Sequence, residues 1–185
     1  MRLFIAVDLS DELREKINEV CELVGKFKGV KPVEKENLHI TLMFLGEVPD
    51  RRVEVIKEML KTVKMEPFKL HLKGIGFFPS AGQARVIWVG VEEGKDEISK
   101  LADLIESSMK KLGFKRDKDF VAHATIARVK SITTEDRRKL MKALEPWLDR
   151  DFGWMDVMEF KLKKSTLTSS GPIYEDLETY KLYKN

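Results

Sequence analysis

The sequence predicts an α+β protein that is a bilobal internal duplication, a single domain of two similar halves at about residues 1–82 and 83–185. Three observations carry that expectation. Each half reads as strand, helix, strand, helix, strand by its hydrophobic periodicity. The tetrapeptide His39-Ile40-Thr41-Leu42 in the first half returns as His123-Ala124-Thr125-Ile126 in the second. The interval between the copies is too long for a solenoid repeat, which leaves two units packed about an approximate two-fold axis. No Ser- or Pro-rich linker separates them, so the chain is not divided into independent domains.

The elements follow in order. Leu3–Val7 is apolar on both faces and β-prone, a buried strand. Ser10 precedes a helix over residues 11–27, with Leu13, Ile17, Val20, Cys21 and Val24 on one stripe and Asp11 and Glu12 at its start. Gly25 and Gly29 bracket its end, and Pro32 marks a loop. Leu38–Leu45 is a strand closed by Gly46 and Pro49. Arg51–Val63 repeats a helical stripe through Val53, Ile56, Leu60 and Val63. Phe68–Phe78 is extended and stops at Pro79. The second half begins with a strand over Arg85–Val91, which superposes on the first with Ile5 near Trp88. A helix over Asp96–Leu112 ends at Gly113. Val121–Val129 is the next strand. Thr133 or Thr134 caps a helix from Glu135 to about Leu148, with Pro146 distorting its last turn. Residues 158–183 are extended, broken by the turn sequence Ser169-Ser170-Gly171-Pro172.

Composition narrows the function classes. Hydrophobic residues are 43% of the chain, enough for a normal core and against global disorder. The 34 basic and 31 acidic side chains leave a net charge of only +3, too little for a non-specific nucleic-acid coat. Abundant charge with one glutamine and few asparagines fits a hot-living source. The single cysteine, Cys21, lies in a helical apolar stripe and reads as a small buried hydrophobe; it cannot make an internal disulfide. No run approaches the ~18 apolar residues of a membrane span, and no leader is evident, so the expected location is the cytoplasm.

The chemistry lies in the repeated motif. Strand side chains alternate, so His39 and Thr41 share one face, as do His123 and Thr125. If the halves face each other, two imidazoles and two hydroxyls converge in one groove. Imidazoles gain and lose protons near neutral pH, so a pair on opposite sides of a phosphorus can serve as acid and base in an in-line displacement. Hydroxyls can donate to the non-bridging oxygens that gather charge in the transition state. That reaction needs neither metal nor cofactor, and no two histidines have the i, i+4 spacing of metal ligands. One His-x-Thr alone carries almost no weight; two, in matching strands of a chain with three histidines, do.

These residues resemble the 2H phosphoesterase superfamily, and within it the RNA 2′,3′-cyclic phosphodiesterase family, historically called 2′-5′ RNA ligases. The resemblance runs through RLFIAVDL, HITLMFLGEV, GIGFFP, ARVIWVGV, HATIAR and SSGPIYEDLETY, in order, over nearly the whole chain. Ala122 departs from the proline that many relatives carry before the second histidine. The resemblance implies two mainly antiparallel sheets with helices on their outer faces and a central groove. It implies hydrolysis of RNA 2′,3′-cyclic phosphate ends, tRNA fragments among them, to 2′-phosphomonoesters by a monomer. By it, His39 is the proton donor, His123 the proton acceptor, and Thr41 and Thr125 hold the phosphate; spacing alone does not order the two histidines. Two other functions stay open: 2′-5′ RNA ligation, and a non-catalytic module that only grips RNA or nucleotides.

Further candidates are weaker. Met43 shares the His39 face by alternation and is placed against substrate, with Phe44 in the core. Arg128 falls off the face of His123 in an ideal strand, although a bend there would bring it to phosphate. Arg85 is a further phosphate contact. His71 lacks the companion threonine and reads as an edge-strand histidine. Phe77 and Phe78 read as core, with base stacking the alternative.

Overall fold

The computed structural model describes residues 1–184. The apolar run after Met1 forms β1 (Arg2–Asp8). Ser10 then accepts from the Leu13 amide and starts α1 (Asp11–Val24), whose stripe Leu13, Ile17, Val20, Cys21 and Val24 is buried. A three-residue strand, β2 (Val30–Pro32), stands where the sequence suggested only a loop. Then come β3 (His39–Glu47), α2 (Val53–Leu60) and β4 (Phe68–Phe78). The second half repeats this with β5 (Val86–Glu93), α3 (Lys95–Lys110), β6 (His123–Val129) and α4 (Thr134–Leu144), the last capped by Thr133 onto the Asp136 amide. Pro146 lies in a 3-10 turn that ends α4 early. Three strands close the chain: β7 (Asp151–Val157), β8 (Glu159–Thr168) and β9 (Gly171–Lys181).

Two sheets result, antiparallel throughout. One has the order β3-β1-β8-β9, the other β2-β6-β5-β4-β7. Apart from β2, the two orders correspond strand for strand. Each half supplies two adjacent strands to its own sheet, and the partner beside them comes from the other half: β8 pairs with β1 and carries β9 beyond it, while β4 pairs with β5. The helices cross over as well. α1 packs under β7, β2 and β6, and α3 packs under β3. Sheet membership therefore does not follow the sequence boundary near residue 82, because the halves are interleaved. The predicted α+β architecture of two antiparallel sheets is present.

The core lies beneath both sheets. Leu3, Ile5 and Val7 of β1, Ile40 and Leu42 of β3, Ile87, Val89 and Val91 of β5, and Ala124 and Ile126 of β6 are all buried there. Cys21 joins them, with its Sγ 3.7 Å from the Ile126 carbonyl oxygen, and burial pushes its thiol up to about 12. The opposite strand faces carry the two histidines. β3 and β6 run beside each other where the two sheets meet, which sets both His-x-Thr motifs along one junction.

Candidate functional site

The registers of the two histidine strands match residue for residue. In the first sheet Asp8 stands opposite His39, Ala6 opposite Thr41, Ile5 opposite Met43 and Phe4 opposite Phe44. In the second, Gly90 stands opposite His123, Trp88 opposite Thr125, Ile87 opposite Ala127 and Val86 opposite Arg128. Ala6, not Ile5, therefore occupies the place of Trp88, one residue from the superposition the sequence suggested. Each histidine strand also has one residue without a partner, Leu42 in β3 and Ile126 in β6. These are bulges at the same point of the two halves, and a bulge inverts the alternation beyond it.

That inversion corrects two expectations. Met43 does not share the His39 face: it is 2% exposed and packs in the core. Phe44, expected in the core, is 68% exposed and lies on the histidine face instead, opposite Phe4. On β6 the same bulge turns Arg128 to the side of His123 and Thr125, opposite Val86. Its positive charge is felt by both His123 on β6 and Tyr174 on β9, so it reaches across between the sheets. Arg85 is exposed and immediately precedes β5.

Each imidazole is fixed in the same way. His39 Nδ1 lies 2.7 Å from the Asn37 carbonyl oxygen, and His123 Nδ1 lies 2.7 Å from the Val121 carbonyl oxygen. A carbonyl only accepts, so both rings carry their proton on Nδ1 and leave Nε2 as the working atom. The Thr41 hydroxyl, 2.9 Å from His39 Nε2, can donate to it until a ligand displaces it. Aromatic rings hold each imidazole in place. Phe4 and Tyr174 lie 5.3 and 5.5 Å from the His39 ring, and Phe78 and Trp88 lie 5.1 and 6.0 Å from His123. Phe77, the neighbour of Phe78, packs against the core.

The environment favours neutral imidazoles. Burial pushes the His39 pKa below the ordinary histidine value; the Asn37 carbonyl and Asp8 oppose this, while Lys163 and Arg14 add to it. His123 is lowered by burial and by Arg128, against the pull of the Val121 carbonyl. His71 is elsewhere, on β4, stacked on Trp154 at 4.6 Å with Nε2 2.9 Å from Asp151 Oδ1. Among the described residues, no group of three or more His, Cys, Asp or Glu side chains is arranged to hold a metal ion. No helix there is long and apolar enough to cross a membrane.

Fold and site together define a duplicated α+β protein with paired His-x-Thr strands at the junction of two sheets. Residues 7–88 and 89–174 each match the LigT-like phosphoesterase family, and the chain belongs to that family. A protein of Archaeoglobus fulgidus named RNA 2′,3′-cyclic phosphodiesterase is 46% identical over 97% of this chain and 99% of its own length. One of the same name from Methanocaldococcus jannaschii is 42% identical over 97% of this chain and 100% of its own. Among solved structures, a protein of Thermus thermophilus superposes with a TM-score of 0.82 at 32% identity, covering 98% of this chain and 97% of that one. E. coli LigT in complex with 3′-AMP gives 0.80 at 27% identity, covering 99% and 98%. The family resemblance read from the sequence is thereby borne out.

Proposed function

We propose that this protein hydrolyses RNA 2′,3′-cyclic phosphate ends to 2′-phosphomonoesters, with His39 as the acid and His123 as the base. The observation that carries the reading is the matched pair of His-x-Thr strands, each imidazole anchored through Nδ1 so that Nε2 is available. Water attacks phosphorus and gives its proton to His123 Nε2. The bond from phosphorus to the 3′ oxygen breaks, and that oxygen takes the Nε2 proton of His39, which enters the step as the doubly protonated imidazolium with its Nδ1 proton still donated to the Asn37 carbonyl. A 3′ hydroxyl and a 2′ phosphate result, and solvent exchange restores the two rings. Thr41 and Thr125 donate to the non-bridging oxygens, where each such donor is worth ~10²–10³ in rate. Arg128 adds charge-assisted hydrogen bonds to the anion. Phe44 offers an exposed ring to the base of the terminal nucleotide.

The names of the full-length relatives support this substrate class. Both histidine strands come from one chain, so one copy suffices and the working form is a monomer. The cellular setting is the cytoplasm, where tRNA fragments are candidate substrates. The test is incubation of the purified protein with a short RNA ending in a 2′,3′-cyclic phosphate, with chelator present. Accumulation of a 2′-phosphate end supports the reading. Binding without turnover, or a product that forms only with a 5′-hydroxyl RNA, would overturn it.

A further inference from the structure

The two histidines occupy equivalent places, but the residues across from them differ. Asp8 on β1 faces His39, whereas Gly90 on β5 faces His123. The Asp8 carboxylate is also held. Lys163 Nζ is 3.0 Å from its Oδ1, and Lys161 Nζ is 3.0 Å from its Oδ2. The same two ammonium groups reach Asp176 on β9, at 2.8 Å from Oδ1 and 3.0 Å from Oδ2. Two carboxylates and two ammonium groups thus close a ring of four charges across β1, β8 and β9. The registers build it: Lys161 pairs with Ala6, Lys163 with Phe4, and Asp176 with Lys163, all on the face that carries His39.

This ring is an expensive way to join three strands. Lys163 is only 6% exposed. Its partners are more open, with Asp176 44% exposed, so the desolvation cost falls chiefly on the Lys163 ammonium. Replacing such a buried charge by an apolar side chain is often neutral or stabilising, which leaves its place beside Asp8 unexplained by strand cohesion alone. Burial would raise the Asp176 carboxyl, yet the contacts with Lys163 and Lys161 hold it below the usual range, so this carboxylate is charged at neutral pH. The remaining charged and titratable groups that face His39 are Arg14, from α1, and Tyr174, from β9. Arg14 lies 3.7 Å from Asp8 Oδ1 and donates to the Leu38 carbonyl next to the histidine.

We propose that Asp8, and the Lys163 ammonium that masks it, are positioning residues that set the proton occupancy of His39 and so distinguish it from its counterpart His123. The inference rests on the reading above for the role of His39 as acid. In the free protein Lys163 and Arg14 offset Asp8, and the buried ring stays neutral. A cyclic phosphate anion entering the groove brings negative charge to the other side of the imidazole. The protonated form then lies between that anion and the Asp8 carboxylate. His123 meets no carboxylate at Gly90 and faces Arg128 instead, so it remains neutral and able to accept a proton.

The test is NMR titration of the imidazoles in the ligand-free protein, with His71→Gln used to separate the three resonances. Asp8→Asn should move the His39 midpoint down, and Lys163→Met should move it up, with His123 unmoved in both. The falling limb of the pH profile of kcat/KM should follow the same directions. Displacements in the same direction, or none at His39, would overturn the proposal, because a merely structural ring loses stability without opposite shifts. Should Lys163→Met fail to fold, Asp176→Asn leaves the Lys163 charge less compensated and should move His39 down; an upward shift or none would count against the idea. If the wild-type protein hydrolyses no cyclic ends, the reading above fails while the titration still decides this one.

Discussion

Gly76→Ala should damage the site from beneath. Gly76 lies opposite Trp88 across the β4–β5 pair, and the indole occupies the space where a Gly76 side chain would stand. A Cβ at Gly76 would fall 2.1 Å from Cζ2 and 2.2 Å from Cη2 of that ring, far inside contact distance. The indole must therefore shift, and a second glycine, Gly90, already brackets it from β5, where a Cβ would lie 3.3 Å from Cζ3. Forced overpacking of this kind costs ~1–3 kcal/mol. For a chain of this size that is a fall in Tm of ~2–12 °C. Trp88 also packs on Phe78 at 5.0 Å and on His123 at 6.0 Å, so its displacement tilts the imidazole. Its buried indole N–H has no protein partner among the described residues, so no hydrogen bond resists the movement. Denaturant melts and turnover of a cyclic-phosphate RNA should both fall for Gly76→Ala. Gly82→Ala, whose Cβ meets nothing within 4 Å, is the control. In a Trp88→Leu background the Gly76→Ala penalty should shrink by more than ~0.5 kcal/mol, the size of ordinary non-additivity. Equal penalties for Gly76→Ala and Gly82→Ala, or no coupling to Trp88, would refute the reasoning.

Other consequences are more direct. His39→Gln and His123→Gln should each lower kcat by ~10²–10⁴ with the melting curve preserved, and a near-normal rate in either would remove the acid–base pair. Arg128→Gln removes a charge that disfavours the His123 imidazolium, so the rising limb of the kcat/KM profile should move to higher pH; an unmoved limb would show that the charge is not felt, and a shift to lower pH would reverse its sign. Phe44→Ala should weaken binding of an RNA end by ~1–3 kcal/mol without changing stability, since the ring is solvent-exposed in the free protein. Both histidines are depressed below 6.5 when folded, so the unfolded chain binds protons first as pH falls. Their contribution is present above 6.5 and is lost as pH falls from there through the folded values. Denaturant melts at pH 7 and 5 should show a larger loss for the wild type than for the doubly substituted His39→Gln/His123→Gln protein.

Much of the fold was legible because the periodicities were clean. Ser10 and Thr133 mark helix starts, and the apolar stripes of α1 and α3 place both helices. Two strands were not. β2 is three residues long, below any period, and β7 contains Gly153 at a φ of 114° between Phe152 and Trp154, which breaks its alternation. The interleaving of the halves was hidden for a different reason. Periodicity reports which face of a strand is buried, not which strand lies beside it. Nothing local distinguishes β4 pairing with β5 from β4 pairing with β1.

The site was legible at the histidines, and illegible just beyond them, for one reason. In His39-Ile40-Thr41-Leu42-Met43-Phe44 and His123-Ala124-Thr125-Ile126-Ala127-Arg128 the alternation holds for four residues, then meets two apolar residues in succession. Strict period 2 sends Met43 to the groove and both Phe44 and Arg128 away from it. A bulge at the doubled apolar pair keeps both members in the core and returns the sixth residue to the histidine side. The signal was present, since Arg128 between two apolar neighbours has no place in a core. It became decisive only with the second copy.

The same register explains how a nearly symmetric scaffold can receive an asymmetric substrate. Backbone, bulges, imidazoles and hydroxyls are duplicated, so the frame by itself would bind a phosphoryl group in either of two orientations. The differences sit at positions the duplication makes equivalent. One bulge presents the apolar ring of Phe44 and the other the guanidinium of Arg128; one histidine faces Asp8 and the other faces Gly90. A nucleotide has a flat base at one end and an anion at the other, so the orientation that puts each against its complement is favoured. Exchanging the first pair, as Phe44→Arg with Arg128→Phe, should therefore weaken turnover more than the loss of either contact alone explains, because the reversed nucleotide would present its leaving oxygen to the wrong histidine.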